Sequence, residues 1–322
     1  MPQKIAHYNI LERLGGGALG DVYRARDTKV GRTVALMRPP PQLLTDAPRR
    51  ERFVESARVA GTLNHPNIAA LFDVVEEDGV CYLAYEFAAG PSLRQEMSGV
   101  RLGVRRAVEI AAQIADALAE GHTHGVVHGD LRPDTVVITP KGSAKILNFG
   151  MVPWTAGGFA RRMAALSPDS LTPDQVSVVG YLSPEQALRG GIDARSDLFS
   201  LGVMLYEMVT GANPFEGGKP STTVTNLVQA RLPAPSGQNF DVPSELDALL
   251  ARVMSKEIAA RHESAALLAS DLRSVLGLID ARSGDKGPTT LIPLEEERKT
   301  GWIWAAVTIG AAAAVGWWWW KL

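Results

Sequence analysis

The chain of 322 residues is 46% hydrophobic and 21% charged, ordinary globular composition with room for one large domain or two small ones. Its 33 Lys and Arg against 35 Asp and Glu leave a net charge of −2, which excludes the basic footprint of a nucleic-acid binder. The single cysteine, Cys81, excludes an intrachain disulfide and a cysteine zinc site, and fits a reducing compartment.

Residues 1–9 hold no apolar core of signal-peptide length, so no leader is expected there. Residues 8–87 read mainly as strands, with short β-type runs at 22–26, 33–37 and 80–87. A helical pattern over 50–63 interrupts them, with Phe53, Ala57, Ala60 and Leu63 near one face. After Gly90 the character turns helical. Helices are expected over 105–120, over 197–210 with Gly211 as its stop, and over 246–254 and 265–278. The change near residue 88 predicts an α+β, bilobal molecule: a β-rich lobe over 8–87 and a helical lobe over 91–279. Residues 280–300, polar with Gly and Pro, read as a linker.

Residues 301–320 carry no charge and begin and end in tryptophans, Trp302 and Trp304 before Trp317 to Trp320. At ~1.5 Å per residue such a helix spans roughly the ~30 Å of a bilayer core. A single transmembrane helix is therefore expected, with the rest of the chain on one side. Arg298 and Lys299 on the larger cationic flank favour the cytoplasm, which places the protein at the cell's inner membrane.

Gly15, Gly17, Gly20 and Val22 fit G-x-G-x-x-G-x-V. A dinucleotide fold would need a helix directly after the glycines. A strand, a turn and another strand follow instead, the context of a glycine flap whose backbone N–H groups approach phosphates. His122, His124 and His128 lie close together, but no carboxylate or cysteine is placed to complete a metal site, and none is expected.

From the glycine loop onward the sequence resembles the eukaryotic-like serine/threonine protein kinases of bacteria, collinearly over about residues 8–278. Leu63-Asn64-His65-Pro66-Asn67-Ile68 is similar to the family's L-N-H-P-N-I, and Glu86-Phe87 to the hinge between lobes. His128-Gly129-Asp130-Leu131-Arg132-Pro133 resembles H-R-D-L-K-P, and Asn148-Phe149-Gly150 resembles D-F-G. Tyr181 to Gln186 resembles the close of the activation segment, and Arg195 to Gly202 the start of the central helix. The resemblance implies a nucleotide pocket walled by Val22, Ala35 and the hinge from Glu86 to Ala88, with bulky Tyr85 at its back. It also implies structural roles for Glu185, its ion-pair partner Arg261, and Asp197, which braces the catalytic loop.

Against that pattern several chemical parts are replaced. Met37 stands where the family places a phosphate-binding lysine. Arg38 is a poor substitute, because adjacent strand residues face opposite sides. The glutamate that would orient the lysine falls on Ser56. The two metal-binding positions are Asn148 and Thr135, which offer no negative charge to Mg²⁺. Gly129 removes an arginine that would grip a phosphorylated loop, and Val178 replaces a threonine that would bond toward the base. Asp130, the family's base position, persists, and Arg132 keeps the charge of the lysine it replaces.

Since phosphoryl transfer rests on positioning and charge neutralisation, these losses imply a pseudokinase. ATP contact would be weak, and no stable Mg²⁺ site is expected. The role implied is a membrane-tethered scaffold or regulator that contacts other proteins, among them an active kinase or its substrates. Two readings stay open beside it. One is an atypical kinase with residual activity. The other is a membrane oligomerisation device, with Gly310 and Ala314, or Ala312 and Gly316, as small residues four apart in the span.

Overall fold

A computed structural model describes residues 4–17, 20–40, 44, 46–151, 178–188, 191–283 and 292–293. The chain divides into two units, Met1–Ile292 and Pro293–Leu322, and all of the second except Pro293 lies outside the described residues. Among the described residues no helix is long and apolar enough to cross a membrane, and the span expected at 301–320 falls outside them.

The N-terminal lobe is one antiparallel sheet of β1 (Lys4–Ile5), β2 (Tyr8–Gly17), β3 (Gly20–Asp27), β4 (Thr33–Arg38), β5 (Leu71–Glu77) and β6 (Val80–Glu86). The spatial order is β1-β2-β3-β4-β6-β5. Strand alternation sorts the side chains into two apolar layers. Met37, Cys81, Leu83 and Tyr85 pack on one face; Val34, Leu36, Tyr82 and Ala84 pack on the other. Register places Met37 between Val22 and Leu83, and Ala35 opposite Tyr85.

Helix α1 (Ala47–Ala60) starts at Asp46, whose carboxylate accepts the Arg49 N–H at 2.8 Å, with Pro48 in the first turn. It buries Phe53, Ala57 and Ala60, the stripe expected from the sequence. It ends three residues before the predicted 63, because Gly61 takes the C-cap and bonds back to Ala57.

The C-terminal lobe is helical. After α2 (Leu93–Glu96) and β7 (Val100–Arg101), α3 (Val104–Thr123) carries a continuous buried face from Val104 to Gly121. A two-stranded ribbon follows, β8 (Val136–Ile138) with β9 (Ala144–Ile146), after a 3₁₀ turn at Pro133–Thr135. Helix α4 (Pro184–Ala187) leads to α5 (Ala194–Thr210), which is buried from Ser196 to Val209 and is the central element of the lobe. Asp193 caps its start, accepting the Arg195 and Ser196 N–H groups, and Gly211 at φ +85° closes it in the left-handed region.

Then come α6 (Pro220–Gln229), α7 (Ser244–Val253) and α8 (Ala265–Ser283). Helix α8 runs beyond the predicted 278 and into the stretch read as linker, and Arg105 of α3 pairs with its Asp280 at 2.7 Å. The sequence pattern passed over α6, whose Ser, Thr and Asn are weak helix formers; it folds as a helix by burying Thr223 and Leu227.

Candidate functional site

Strands β3, β4 and β6, the segment after Glu86 and the β8–β9 region surround a cavity of about 350 Å³. Val22, Ala35, Glu86 and Ala88 all line it, as expected from the sequence, together with Met37 and Asn148. Gly15, Gly17 and Gly20 lie on the β2–β3 hairpin, with Gly17 opposite Gly20, and are not among the cavity's described walls. Gly20 is required there: at φ +103° a Cβ would sit 1.8 Å from the Arg38 carbonyl oxygen.

Met37 is 3% exposed and packs with Phe53, Ala57, Leu83 and Tyr85. This is an apolar seam between β4 and α1. Ser56 is half-buried on α1 and donates its hydroxyl to the Arg52 carbonyl at 2.9 Å. Its neighbour Glu55 is exposed and pairs with Arg58 at 3.5 Å. Neither residue supplies a carboxylate to the cavity's described walls. Among those walls there is no Lys, Arg or His, and the carboxylate Glu86 is held by Lys145 at 2.6 Å.

The loop after α3 is fastened by Asp197, which is fully buried at the start of α5. Its carboxylate accepts the backbone N–H groups of His128 at 2.8 Å and Gly129 at 2.7 Å, and meets His122 Nε2 at 2.8 Å. Gly129 adopts φ +67°, a conformation that suits glycine. His128 Nε2 faces the Leu147 carbonyl at 2.9 Å and so carries the proton. Its Nδ1 then accepts the Asp130 N–H at 3.2 Å. This fixes the backbone of the predicted base position from both sides.

The Asp130 side chain is buried, with Arg132 Nε at 3.3 Å. Arg132 also reaches Asp134 at 2.9 Å, and Asp134 lies 3.7 Å from Arg94. Arg94 in turn pairs with the buried Glu207 of α5 at 2.7 Å. Tyr181 bonds both Arg94 and Glu207. Burial, then the Glu207 charge, push its hydroxyl well above the usual range, so it stays protonated. The charge of Arg132 is thus shared among carboxylates of its own loop.

The kinases that the sequence resembles call for divalent metal, and the donors here do not fit it. Asn148 has the positive φ that Asn tolerates, +61°, but it brings an amide rather than a carboxylate. The Thr135 hydroxyl is turned into its own loop, with the Arg132 N–H at 3.2 Å and the Arg132 carbonyl at 2.9 Å. Among the described residues no group of three His, Cys, Asp or Glu is placed to hold a metal ion.

Glu185 and Arg261 form the buried pair expected of them, doubly bonded at 2.8 Å each. Val178 is buried, and residues 152–177 before it in the chain lie outside the described residues. Gln186 donates to the Gly129 carbonyl at 2.9 Å, tying α4 to the loop that bears Asp130.

Sequence reasoning missed Lys145 and the apolar walls Leu14, Ala69, Val137 and Leu147. For Lys145 a signal existed: it is the single charge between buried Ala144 and Ile146 of β9 and so points off the core face.

The protein kinase domain family matches residues 8–272. A probable serine/threonine-protein kinase of Streptomyces coelicolor is 34% identical over 278 residues, 84% of this chain and 40% of that protein. The serine/threonine-protein kinase PrkC of Bacillus subtilis is 31% identical over 271 residues, 83% of this chain and 40% of that protein. The chain thus spans about two fifths of the length of these curated relatives. Among solved structures, the Mycobacterium tuberculosis PknI kinase domain superposes with a TM-score of 0.65 at 25% identity, covering 84% of this chain and 97% of that one. With the family match running from residue 8 to residue 272, through nearly all of the described residues, the chain belongs to the protein kinase domain family.

Proposed function

We propose that the chain is a pseudokinase: a membrane-anchored signalling scaffold or regulator built on a kinase fold that has lost phosphoryl transfer. One observation carries this. Met37, at the lysine position, is sealed in apolar contacts, and no basic residue is among the described walls of the cleft. Phosphoryl transfer proceeds by stabilising spread negative charge, and loss of one such contact typically costs ~10²–10³ in rate. Ser56, Asn148 and Thr135 remove three further parts.

The anchor is the uncharged stretch at 301–320, with 280–300 leading to it from a cytoplasmic domain. The partners that suit such a module are proteins, an active kinase or its substrates in particular. The intact Glu185–Arg261 pair and the braced loop support this, because they maintain a folded surface without supplying chemistry.

A second reading, an atypical serine/threonine kinase with residual activity, is favoured by the retained Asp130–Arg132 contact and by the kinase names of the relatives. Radiolabel transfer from ATP to a generic protein substrate separates the two, with Asp130→Ala as control. The pseudokinase reading expects equal, background incorporation from both forms. Robust Mg²⁺-dependent incorporation abolished by Asp130→Ala would establish the kinase instead.

A further inference from the structure

A second cavity, of about 620 Å³, lies in the helical lobe between α7 and the segment that follows α6, and it shares no lining residue with the cleft. The chain leaves α6 at Ala230 with extended backbone, and Pro233 denies the next stretch a helical hydrogen bond. Two ties fix that stretch in place. The Tyr206 hydroxyl of α5 donates to the Pro233 carbonyl at 3.3 Å and accepts from Gln238 Nε2 at 2.8 Å. The Asp247 carboxylate of α7 accepts the Ser236 N–H at 3.0 Å and the Ser236 hydroxyl. Toward the gap, α7 presents Ser244, Asp247, Ala248 and Ala251, which fall on one helix face. Ala248 and Ala251 are exposed and too short to fill the space, so a groove stays open with Leu232, Leu250 and Met254 among its walls.

The charge of this lining is unbalanced. Arg231 is exposed and Lys256 half-buried; both line the cavity, and neither has a carboxylate partner among the described residues. Asp247 is the one carboxylate of the lining, and Ser236 already bonds it. Lys256 Nζ donates to the Leu227 carbonyl at 2.6 Å and lies 4.0 Å from the Phe215 ring centre. Burial, then the Arg261 charge, lower its pKa to about 8, which agrees with a cation that lacks a counter-ion. A purely apolar guest would leave both cations unmatched, and an inorganic anion would leave the alanine face wet. A carboxylate matches the planar fork of a guanidinium. The volume falls within the range of small-molecule sites.

We propose that this groove binds a monocarboxylate with an apolar tail, of the class of free medium-chain alkanoates, its tail against Ala248 and Ala251 and its carboxylate at Arg231. The site is independent of the pseudokinase reading, which the transfer assay decides separately.

Calorimetric titration of the full chain in detergent with hexanoate, octanoate and octan-1-ol tests this. Octanoate is expected to saturate one site at millimolar concentration or below and to bind about tenfold more tightly than hexanoate, as two buried methylenes imply. Arg231→Gln should weaken octanoate about threefold, the scale of an exposed ion pair, and leave octan-1-ol unchanged. Ala251→Trp, which fills the groove from an exposed position, should weaken octanoate and octan-1-ol alike by about tenfold or more. Both variants should keep the wild-type melting temperature, since neither side chain is buried. No saturable octanoate binding, equal affinities for hexanoate and octanoate, or wild-type affinity in either variant overturns the proposal. A dimer in light scattering that Ala251→Trp dissociates, with no octanoate bound by the wild type, would assign the groove to a second copy of the chain and overturn it as well.

Discussion

Restoring the missing lysine with Met37→Lys is expected to destabilise the protein by about 3–5 kcal/mol, the cost of an uncompensated buried charge. Met37 is 3% exposed, and its neighbours Phe53, Ala57, Leu83 and Tyr85 include no carboxylate to pair with an ammonium group. An ion pair between β4 and α1 has a hydrocarbon seam in its place, and such exchanges are neutral to favourable when both partners go together. Ser56→Glu alone should cost little, because Ser56 is half-buried and its hydroxyl bond runs to the Arg52 carbonyl of the same helix. The double variant should regain at least half of the loss. Urea denaturation of the four forms reads the coupling as a double-mutant cycle. Equal midpoints for wild type and Met37→Lys would mean that position 37 is solvated, and the sealed-seam account would fail.

The second large effect lies at Glu185. Arg261 is wholly buried, with its guanidinium doubly bonded to Glu185 and its Nε on the Ser255 carbonyl at 2.8 Å. Glu185→Ala leaves that charge without its carboxylate and is expected to cost about 3–5 kcal/mol. Arg261→Met with Glu185→Ala should cost less than Glu185→Ala alone, since the orphaned charge is then gone.

The same pair sets an acid limit. Desolvation tends to raise the Glu185 pKa, but hydrogen bonds from Arg261, Ser183 and Ser196 and the Arg261 charge overcome it, lowering the pKa from 4.5 to about 2. A carboxylate depressed in the folded state contributes stability that is fully present above its unfolded pKa. That contribution erodes as pH falls from about 4.5 toward 2. Wild type should therefore lose melting temperature across this window more steeply than the double variant. Parallel pH profiles for the two would contradict the assignment.

Much of the fold was legible because it is written in short-range patterns. Phe53, Ala57 and Ala60 mark one face of α1, and the apolar run closing on Gly211 marks α5. The lobe boundary near residue 88 followed from the change of period. Helix α6 was not legible, because its Thr223 and Leu227 become meaningful only against a partner surface that no local pattern encodes. In the site, Val22, Ala35, Glu86 and Ala88 were identifiable by motif, and all four meet at one cavity. The Glu86–Lys145 pair, 59 residues apart, depends on how β9 docks beside the hinge and could not be read from spacing. Nor could the buried Tyr85 hydroxyl, which has no hydrogen-bond partner among the described residues, since that is a property of the packed core alone.

The central claim is that the cleft lacks the charge needed for phosphoryl transfer, and putting that charge back is its most direct test. Initial rates of Mg²⁺-dependent transfer should be compared between wild type and a Met37→Lys, Ser56→Glu, Thr135→Asn, Asn148→Asp variant that is shown to be folded. Background incorporation by the wild type and a rise of about 10²-fold or more in the restored chain are expected. A wild-type rate well above background, which restoration does not raise, would contradict the account.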